Sequence, residues 1–310
     1  MNHNSSATLI QSPALPTPTA SGIWWGLVGV FAFSFTVPFT RVAVDGMSPL
    51  FIGAGRAVIA AVLAAAALAI TKQRFPQGMQ WLRLAVVAGG IVAGFPLLTT
   101  FSLTSTSASH GAVVIALLPA ATATVAVMRD RERPRPLFWV LTGVGVVAAV
   151  VFALAQSGGF ESLHWADLLL LGAVVAAAIG YAEGGLLARE LGSWQTISWA
   201  LVVASPVMIL LTAMSLASGF PSTTPAGWAA FAYLGVVSMF LGFFAWYRGL
   251  AIGPMAQVSQ IQLVQPVMTI AWAALLLGES LTLTTVIGGL MVILCAAAAV
   301  RVRLAPPSRP

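Results

Sequence analysis

The sequence predicts an all-α polytopic membrane protein, with ten transmembrane helices arranged as two five-helix repeats of inverted topology. Two observations predict the class. The chain is 59% hydrophobic and only 7% charged, whereas a soluble domain carries about 25% charged residues. Its apolar residues form continuous stretches of about 20 residues, the length that spans a bilayer, without the alternating pattern of barrel strands. A third observation, an internal repeat, predicts the inverted arrangement.

Five apolar stretches follow a polar N-terminal tail. Residues 1–21 are rich in Ser, Thr and Pro and contain no Lys or Arg, so they are predicted to be a disordered cytoplasmic tail. The stretches are runs of Ala, Leu, Val and Ile. They are predicted to be helices because lipid offers the backbone no hydrogen-bond partner. They lie at 22–40, 49–71, 82–101, 108–128 and 136–155, within a first predicted repeat of residues 22–156.

Five further stretches of the same kind follow after a short connection. The links between stretches contain too few polar residues to solvate a globule of this size, which excludes a soluble helical core. The stretches lie at 164–187, 195–216, 227–247, 255–277 and 281–300, within a second predicted repeat of residues 157–303, and residues 304–310 are predicted to be a cytoplasmic tail.

Basic residues are concentrated on one side of the predicted bundle. Positive charges near helix ends are retained in the cytoplasm, so this side, both termini included, is predicted to be cytoplasmic. The net charge of +6 follows from the same bias and does not indicate a nucleic-acid partner. Arg41 and Arg56 are the exceptions to the bias. The residues that follow it are Lys72, Arg74, Arg83, Arg129, Arg131, Arg133, Arg135, Arg189, Arg248, Arg301, Arg303 and Arg309.

A spacing of 147 residues relates two sets of residues in the two halves. Trp81, Leu103, Pro119 and Glu132 recur as Trp228, Leu250, Pro266 and Glu279. Because an odd number of crossings separates the two sets, the second repeat is predicted to be inverted relative to the first. The loop charges agree, since Glu132 lies among arginines and Glu279 has no basic neighbour.

Three stretches carry a family resemblance: residues 108–119, residues 265–281, which include Leu-Gly-Glu-Ser-Leu, and Ile-Gly-Gly at 287–289. The chain resembles the EamA family of the drug/metabolite transporter superfamily, and within it the YddG-type aromatic amino-acid exporters. The first half departs from the family pattern, because Arg-Asp-Arg-Glu at 129–132 replaces Leu-Gly-Glu. The resemblance implies a multi-pass exporter of small metabolites in the bacterial inner membrane.

Prolines mark the middle of two stretches. Pro119 and Pro266 each lie about 15 Å into a helix at 1.5 Å per residue, near the midplane where transporter sites occur. A proline removes the bond to the carbonyl four residues earlier, so the carbonyls of Ile115 and Gln262 are expected to be free. Each proline is predicted to kink its helix, either for packing alone or beside a substrate cavity.

Glutamines occupy a wide arc of the ninth stretch. Gln257, Gln260, Gln262 and Gln265 spread over roughly 200° of the helix surface, so this helix is expected to lie centrally, away from lipid. Gln257, Gln260 and Gln265 are candidates to contact substrate, with interhelical hydrogen bonds as the alternative. His110 is the repeat counterpart of Gln257, and it is expected to line the outer mouth of the cavity or to cap its helix.

Two charged residues lie inside predicted spans, where such residues are functional candidates. Arg56 could attract a substrate carboxylate, or it could snorkel to the outer headgroups or pair with Asp45. Glu183 could hold an amino group or a proton, or it could form an ion pair with Arg248 or Arg189.

Aromatic residues are dense in the eighth stretch. Tyr181, Phe240 and Phe243 are predicted to line the cavity, because flat rings provide stacking surface for an aromatic solute or a planar cation. Trp246 and Tyr247 lie near the end of the stretch and are expected to anchor it at the interface.

No enzyme motif accompanies these residues. The sequence has no His-Glu-x-x-His and no Gly-x-x-x-x-Gly-Lys, and His3, His110 and His164 are scattered. We therefore expect a non-enzymatic protein without cofactor or metal. The single cysteine, Cys295, permits no intrachain disulfide.

The predicted function is export of small amphipathic metabolites, aromatic or other neutral amino acids above all, by alternating access around a central cavity. A multidrug or quaternary-cation exporter of the same superfamily and a passive small-solute channel are the alternatives. Because the chain carries no ATP-binding motif and few intramembrane carboxylates, facilitated export is expected. The expected partners are the solute and the lipid bilayer, with the chain acting as a monomer.

Overall fold

The computed structural model describes residues 20–130, 136–157, 165–252 and 261–304, and every regular element in these ranges is a helix. Glu132, Gln257, Gln260 and most of both predicted tails lie outside these ranges. The elements are α1 (Ala20–Ser34), α2 (Thr36–Val44), α3 (Pro49–Ile70), α4 (Gln80–Val87), π1 (Ala88–Gly94), α5 (Phe95–Ser102), α6 (Ala108–Ile115), α7 (Leu118–Asp130), α8 (Pro136–Ser157), α9 (Trp165–Leu191), α10 (Ser193–Ala217), α11 (Pro225–Tyr233), π2 (Leu234–Leu241), α12 (Gly242–Ile252), α13 (Val264–Leu277) and α14 (Leu283–Leu304).

Six helical spans within the described residues are long and apolar enough to cross a membrane. Four shorter apolar helices accompany them, at Ala108–Thr122, Pro136–Ala148, Val264–Leu277 and Leu283–Cys295. The protein is therefore an all-helical, polytopic membrane protein. The six spans are Ser21–Val44, Pro49–Ile70, Gln80–Ser102, Trp165–Leu191, Ser193–Ala217 and Pro225–Ile252.

Hydroxyl side chains fix where three of the helices begin. Ser48, Ser107 and Thr224 precede α3, α6 and α11, and each accepts a hydrogen bond from the backbone N–H three residues on, at 3.1, 3.1 and 3.2 Å. Proline follows at the first position of α3 and α11, as Pro49 and Pro225, where its missing N–H would have no helical partner. These caps satisfy backbone groups that lipid could not.

Two segments of π-helix interrupt corresponding places in the two halves. One covers Ala88–Gly94 within the third span and the other Leu234–Leu241 within the span that ends at Ile252. Adding the repeat spacing of 147 to 88–94 gives 235–241, so the two wide turns coincide under the repeat. Such turns are rare and occur frequently at functional sites.

Helices α3 and α10, which correspond under the repeat, pack in antiparallel orientation. The Ser48 hydroxyl at the start of α3 lies 2.5 Å from that of Ser215 near the end of α10. Beyond the other end of α3, Gln73 accepts a bond of 3.2 Å from Gln195, near the start of α10. The two helices therefore run side by side in opposite directions along their whole length.

Two further corresponding pairs also run antiparallel. The N–H groups of Ala108 and Ser109, at the start of α6, bond to the carboxylate of Glu279, just beyond the end of α13. Phe138 near the start of α8 belongs to the same apolar cluster as Val302 near the end of α14. The first contact joins the start of the fourth predicted stretch to the end of the ninth, and the second joins the start of the fifth to the end of the tenth, so the described parts of these repeat-related stretches run antiparallel.

Gly90 lets π1 approach α9 closely. A Cβ atom at this position would lie 2.3 Å from the carbonyl oxygen of Ala176 and 3.1 Å from backbone atoms of Gly180. Since both are backbone contacts, no side chain can move to make room, and the two helices would have to separate.

We expect Gly90→Ala to lower the free energy of unfolding by about 1–3 kcal/mol, the usual cost of overpacking a core. Gly89→Ala is the matched control, since it lies in the same π-helix and an added Cβ there meets nothing within 4 Å. Thermal unfolding in detergent would measure both variants. Equal shifts for the two variants would contradict the close packing of π1 on α9.

Candidate functional site

Regular helix is interrupted just before each of the two repeat-related prolines. Residues 116–117 separate α6 from α7, and residues 262–263 form a turn before α13. Between these two turns lies an enclosed gap that leaves about 10 Å³ for the centre of a water molecule, enough for about one water. The residues lining it are Val37, Ala112, Ile115, Leu118, Pro119, Gln262, Gln265, Pro266 and Thr269.

The lining of this gap combines residues that correspond under the repeat. The spacing of 147 residues relates Pro119 to Pro266, and it relates two apolar residues of the first half to two glutamines of the second. Those pairs are Ile115 with Gln262 and Leu118 with Gln265. The gap is thus lined by corresponding positions of the two repeats, and its polar side chains, Gln262 and Gln265, come from the second half.

The expectation of a free carbonyl at Gln262 is wrong. The N–H of Gln265 donates to that carbonyl at 3.1 Å, because the chain tightens into a three-residue turn ahead of Pro266. The glutamine side chains provide the unsatisfied groups instead. Gln262 Nε2 and Gln265 Oε1 are buried and have no hydrogen-bond partner among the described residues.

An aromatic cluster adjoins the two glutamines. The Tyr181 side chain lies close to that of Gln262, and its ring centroid is 6.1 Å from that of Phe243 and 6.0 Å from that of Trp246. Trp246 Nε1 and the Tyr247 hydroxyl are buried without a hydrogen-bond partner in the described part of the chain. We call the following residues the central polar cluster: Tyr181, Trp246, Tyr247, Gln262 and Gln265.

The sequence analysis missed part of this cluster. Trp246 and Tyr247 were expected at the interface, but they are 1% and 0% exposed because α12 packs between α1, α9 and α10. Their only signal was the aromatic density of the eighth stretch. The ring centroid of Phe243 lies 6.1 Å from that of Tyr181, and the ring centroid of Phe240 lies 4.5 Å from that of Phe244.

Arg56 is buried without a counterion. Its residue exposure is 1%, and no hydrogen bond or ion pair joins it to another described residue, with Nε wholly enclosed. Snorkelling is therefore wrong, and so is pairing with Asp45, whose carboxylate lies 2.6 Å from Arg41. An unpaired buried guanidinium is costly in a membrane protein. Arg56 does not line the enclosed gap.

Glu183 belongs to an ion-pair network near the C-terminal end of α9. Arg83 donates through Nε to Glu183 and through Nη1 to Glu190, the latter at 2.5 Å. Arg83 was not a predicted partner of Glu183, from which it lies 100 residues away in the chain. Arg248, one of the suggested partners of Glu183, lies 5.8 Å from the centre of the Trp25 ring instead.

A large open cavity borders this network. It leaves about 640 Å³ for the centre of a water molecule, and basic and aromatic side chains form its walls. We call it the vestibule. Its lining residues are Lys72, Gln73, Arg74, Phe75, Gln77, Met79, Gln80, Arg83, Glu190, Leu191, Gln195 and Trp199. The end of the bundle that holds it is called the arginine-rich end.

His110 forms a buried hydrogen bond with Asp167 at the opposite end of the bundle. Its Nε2 lies 2.6 Å from Oδ1 of Asp167, in the first turn of α9. The expectation that His110 caps α6 is wrong, because Ser107 occupies that position and receives the His110 N–H. Asp167 was not predicted as a site residue, since a carboxylate near the start of a predicted span is expected to be solvated.

These features define a class of protein. Membrane helices surround a small buried gap at two turns that interrupt helical stretches. Ionisable groups lie at both ends of the bundle, and an open vestibule lies at one end. That arrangement is typical of a membrane transporter.

The chain belongs to the EamA-like transporter family, whose model matches residues 20–154 and again residues 164–301. It is 42% identical over 283 residues to the uncharacterized transporter YdeK of Bacillus subtilis (strain 168), covering 91% of this chain and 98% of that one. The family membership makes the protein a transporter and not an enzyme.

Two more distant likenesses agree with this assignment. A probable terminal-alkyne amino-acid exporter of Streptantibioticus cattleyicolor is 23% identical over 275 residues, with 87% of this chain and 90% of that protein covered. A solved structure, titled only as the crystal structure of a protein, has a TM-score of 0.64 at 16% identity and covers 91% of this chain and 99% of its own. The structural likeness concerns the fold alone.

Proposed function

We propose that this protein exports small amphipathic amino acids, aromatic or other neutral ones, from the bacterial cytoplasm by alternating access around the central polar cluster. The observation that carries the proposal is the enclosed gap between the two proline turns, where buried amide groups of Gln262 and Gln265 lack partners. Buried polar atoms are normally satisfied, so such orphans are expected to bind a polar solute. The amino-acid exporter among the relatives supports this substrate class.

The architecture that suits this function is ten membrane helices in two inverted five-helix repeats. Three observations support it: the antiparallel packing of corresponding helices, the coincident π-helical segments and the two successive matches to the family model. In this arrangement the arginine-rich end, with both termini, lies in the cytoplasm. The vestibule is then the cytoplasmic entrance.

The site suits a solute with one apolar and one charged part. The rings of Phe243 and Phe33, whose centroids are 4.8 Å apart, provide a stacking surface beside Tyr181. The amide groups can bond an α-amino or α-carboxyl group. Arg56 supplies the positive charge that a carboxylate needs once the helices move and the solute reaches it.

The structure corresponds to a closed conformation in this scheme. The enclosed gap holds about one water and no amino acid, whereas the vestibule is roughly the size of known ligand pockets, about 300–1,000 Å³. Arg83 lines the vestibule and binds Glu183, two residues from Tyr181 on α9. Release of this ion pair is therefore the proposed opening step at the cytoplasmic end.

Export of organic cations is the second candidate. The dense buried rings around Phe243 and Trp246 favour it, because aromatic faces attract cations. The buried positive charge of Arg56 opposes a cation and favours an anion or zwitterion.

The decisive experiment is transport in proteoliposomes with a panel of labelled amino acids and quaternary amines. We expect saturable transport of aromatic amino acids. Tyr181→Phe removes a buried hydroxyl of the central polar cluster that is proposed to bond the solute, so it should raise KM about 10-fold, in line with roughly 1–3 kcal/mol for a buried polar group of the solute left unpaired.

Tyr233→Phe is the matched control for this substitution. It removes a hydroxyl that donates to the carbonyl of Ala32 at 3.0 Å and does not belong to the central polar cluster, so KM should stay within about twofold of wild type. Equal KM changes in the two variants would contradict the proposed site. Preference for quaternary amines over every amino acid would favour the second candidate.

A further inference from the structure

Three ionisable side chains lie at the first turns of α6 and α9, at the end of the bundle opposite the vestibule. His110 and Asp167 are 7% and 5% exposed and form a pair across α6 and α9. Glu279 binds the first two N–H groups of α6, Ala108 N at 2.8 Å and Ser109 N at 2.9 Å. The proposed transport site uses none of them.

The described residues around His110 bring no free positive charge to this cluster. Helix α6 packs against α2, α8, α9, α13 and α14, and α8 and α13 contain no ionisable side chain. On α2, Arg41 pairs with Asp45. The remaining ionisable groups, which lie farther along α9 and α14 from this end, are Tyr181, Glu183, Arg189, Glu190, Cys295, Arg301 and Arg303.

Both carboxylates are held where a negative charge is favoured. Asp167 lies in the first turn of α9, and Glu279 accepts from the first turn of α6. Helix N-termini stabilise anions through their unpaired N–H groups and dipole. His110 Nε2 and Asp167 Oδ1 are 2.6 Å apart, so this contact joins the first turns of α6 and α9.

We propose that His110 and Asp167 form a proton-binding site that closes the outer end of the transporter. In the closed end the protonated His110 donates to Asp167 across the α6–α9 contact. When these helices separate, water reaches both groups, and the proton returns to the outer solution. The proton is taken from and released to the same side, so the site controls opening without driving export.

The inference rests on the proposed transport function and on the arginine-rich end being cytoplasmic. The direction of the pH effect on transport follows from mass action, because a proton that binds the closed end more tightly favours closure at low outer pH. Histidine is the side chain whose charge changes between about pH 5 and 8. Transport should therefore fall as the outer solution is acidified through this range.

The first test measures exchange of the transported amino acid in oriented proteoliposomes, with inner pH fixed at 7.5 and outer pH varied from 5.5 to 8. For the wild type we expect at least a fivefold fall towards acid. His110→Gln and Asp167→Asn should each flatten this profile to within twofold. Asp45→Asn, which alters an exposed carboxylate paired with Arg41, should keep it.

A wild-type profile in the folded His110 and Asp167 variants would overturn the proton site while leaving the transport function intact. Absence of transport in the wild type at every pH would instead contradict the proposed function. The two failures are therefore distinguishable.

A second measurement does not depend on transport. Spin labels at Thr104→Cys and Leu168→Cys, on a Cys295→Ser background, report the distance between the segment before α6 and the start of α9; both positions are exposed. We expect the shorter distance to be more populated at pH 5.5 than at pH 8, and Asp167→Asn to remove the difference. A distribution independent of pH in the unsubstituted pair would overturn the inference.

Discussion

Arg56→Met is expected to reduce export about 30-fold or more and, at the same time, to make the protein more stable. Arg56 is 1% exposed and has no partner among the described residues. Replacing a buried charge with an apolar chain of similar volume is commonly neutral or stabilising by about 1–4 kcal/mol. Loss of a desolvated contact to a carboxylate costs about 2–5 kcal/mol, so transport should fall about 30-fold or more.

Arg56→Lys and Arg41→Met are the controls for this prediction. Lysine keeps the positive charge but lacks the planar guanidinium group that binds a carboxylate through two hydrogen bonds. Arg56→Lys should therefore retain part of the activity. Arg41→Met removes an exposed arginine that pairs with Asp45 and should change neither property appreciably. Reconstituted exchange and thermal unfolding in detergent measure the two effects. Full transport by Arg56→Met, or a large loss of its stability, would mean that Arg56 is structural.

Glu279→Gln is expected to destabilise the protein by about 2–3 kcal/mol. The carboxylate accepts two backbone N–H bonds, at 2.8 and 2.9 Å, and joins the loop after α13 to the start of α6. The amide keeps one acceptor oxygen and loses the charge that the helix N-terminus stabilises. Charge-assisted bonds of this kind contribute about 1.5–3 kcal/mol.

Hydrogen exchange at the N–H groups of Ala108 and Ser109 gives the local readout. Both should exchange faster in Glu279→Gln than in wild type. Asp45→Asn is the control, because this exposed carboxylate forms only a surface pair, and its effect should stay below about 0.5 kcal/mol. Unchanged protection of the two amides would show that another group holds the start of α6.

Helix positions followed closely from the sequence because lipid leaves the backbone no alternative to helical hydrogen bonds. The predicted stretches 49–71 and 195–216 correspond to Pro49–Ile70 and Ser193–Ala217. The first stretch was predicted to end at 40, but helix continues to Val44 after a break at Phe35. Pro38 did not stop it, because it lies in the first turn of α2.

Partners across helices could not be read from the sequence. His110 and Asp167 are 57 residues apart, and Arg83 and Glu183 are 100 apart. Pattern reasoning depends on a contrast between a polar and an apolar helix face, which helices rich in Ala, Leu and Val on all sides lack. Only the packing decides which of these side chains meet.

The burial of individual polar groups could not be predicted from the sequence either. Arg56 was as compatible with snorkelling as with burial, since both place an arginine inside an apolar stretch. Gln262 drew attention for its carbonyl, yet its side chain is the unsatisfied group. The glutamine pattern predicted a central helix, yet Gln262 and Gln265 are buried while Val264 and Val267 are 45% and 53% exposed, so the described part of this helix turns one face outward.

Trans-stimulated exchange in proteoliposomes tests the central claim most directly. Vesicles are loaded with unlabelled aromatic amino acid, and entry of labelled solute is followed over a range of outer concentrations. Alternating access around one central site predicts saturable entry that accelerates when the inside is loaded. Entry that rises linearly with concentration and is insensitive to the inner solute would contradict it and indicate a passive channel.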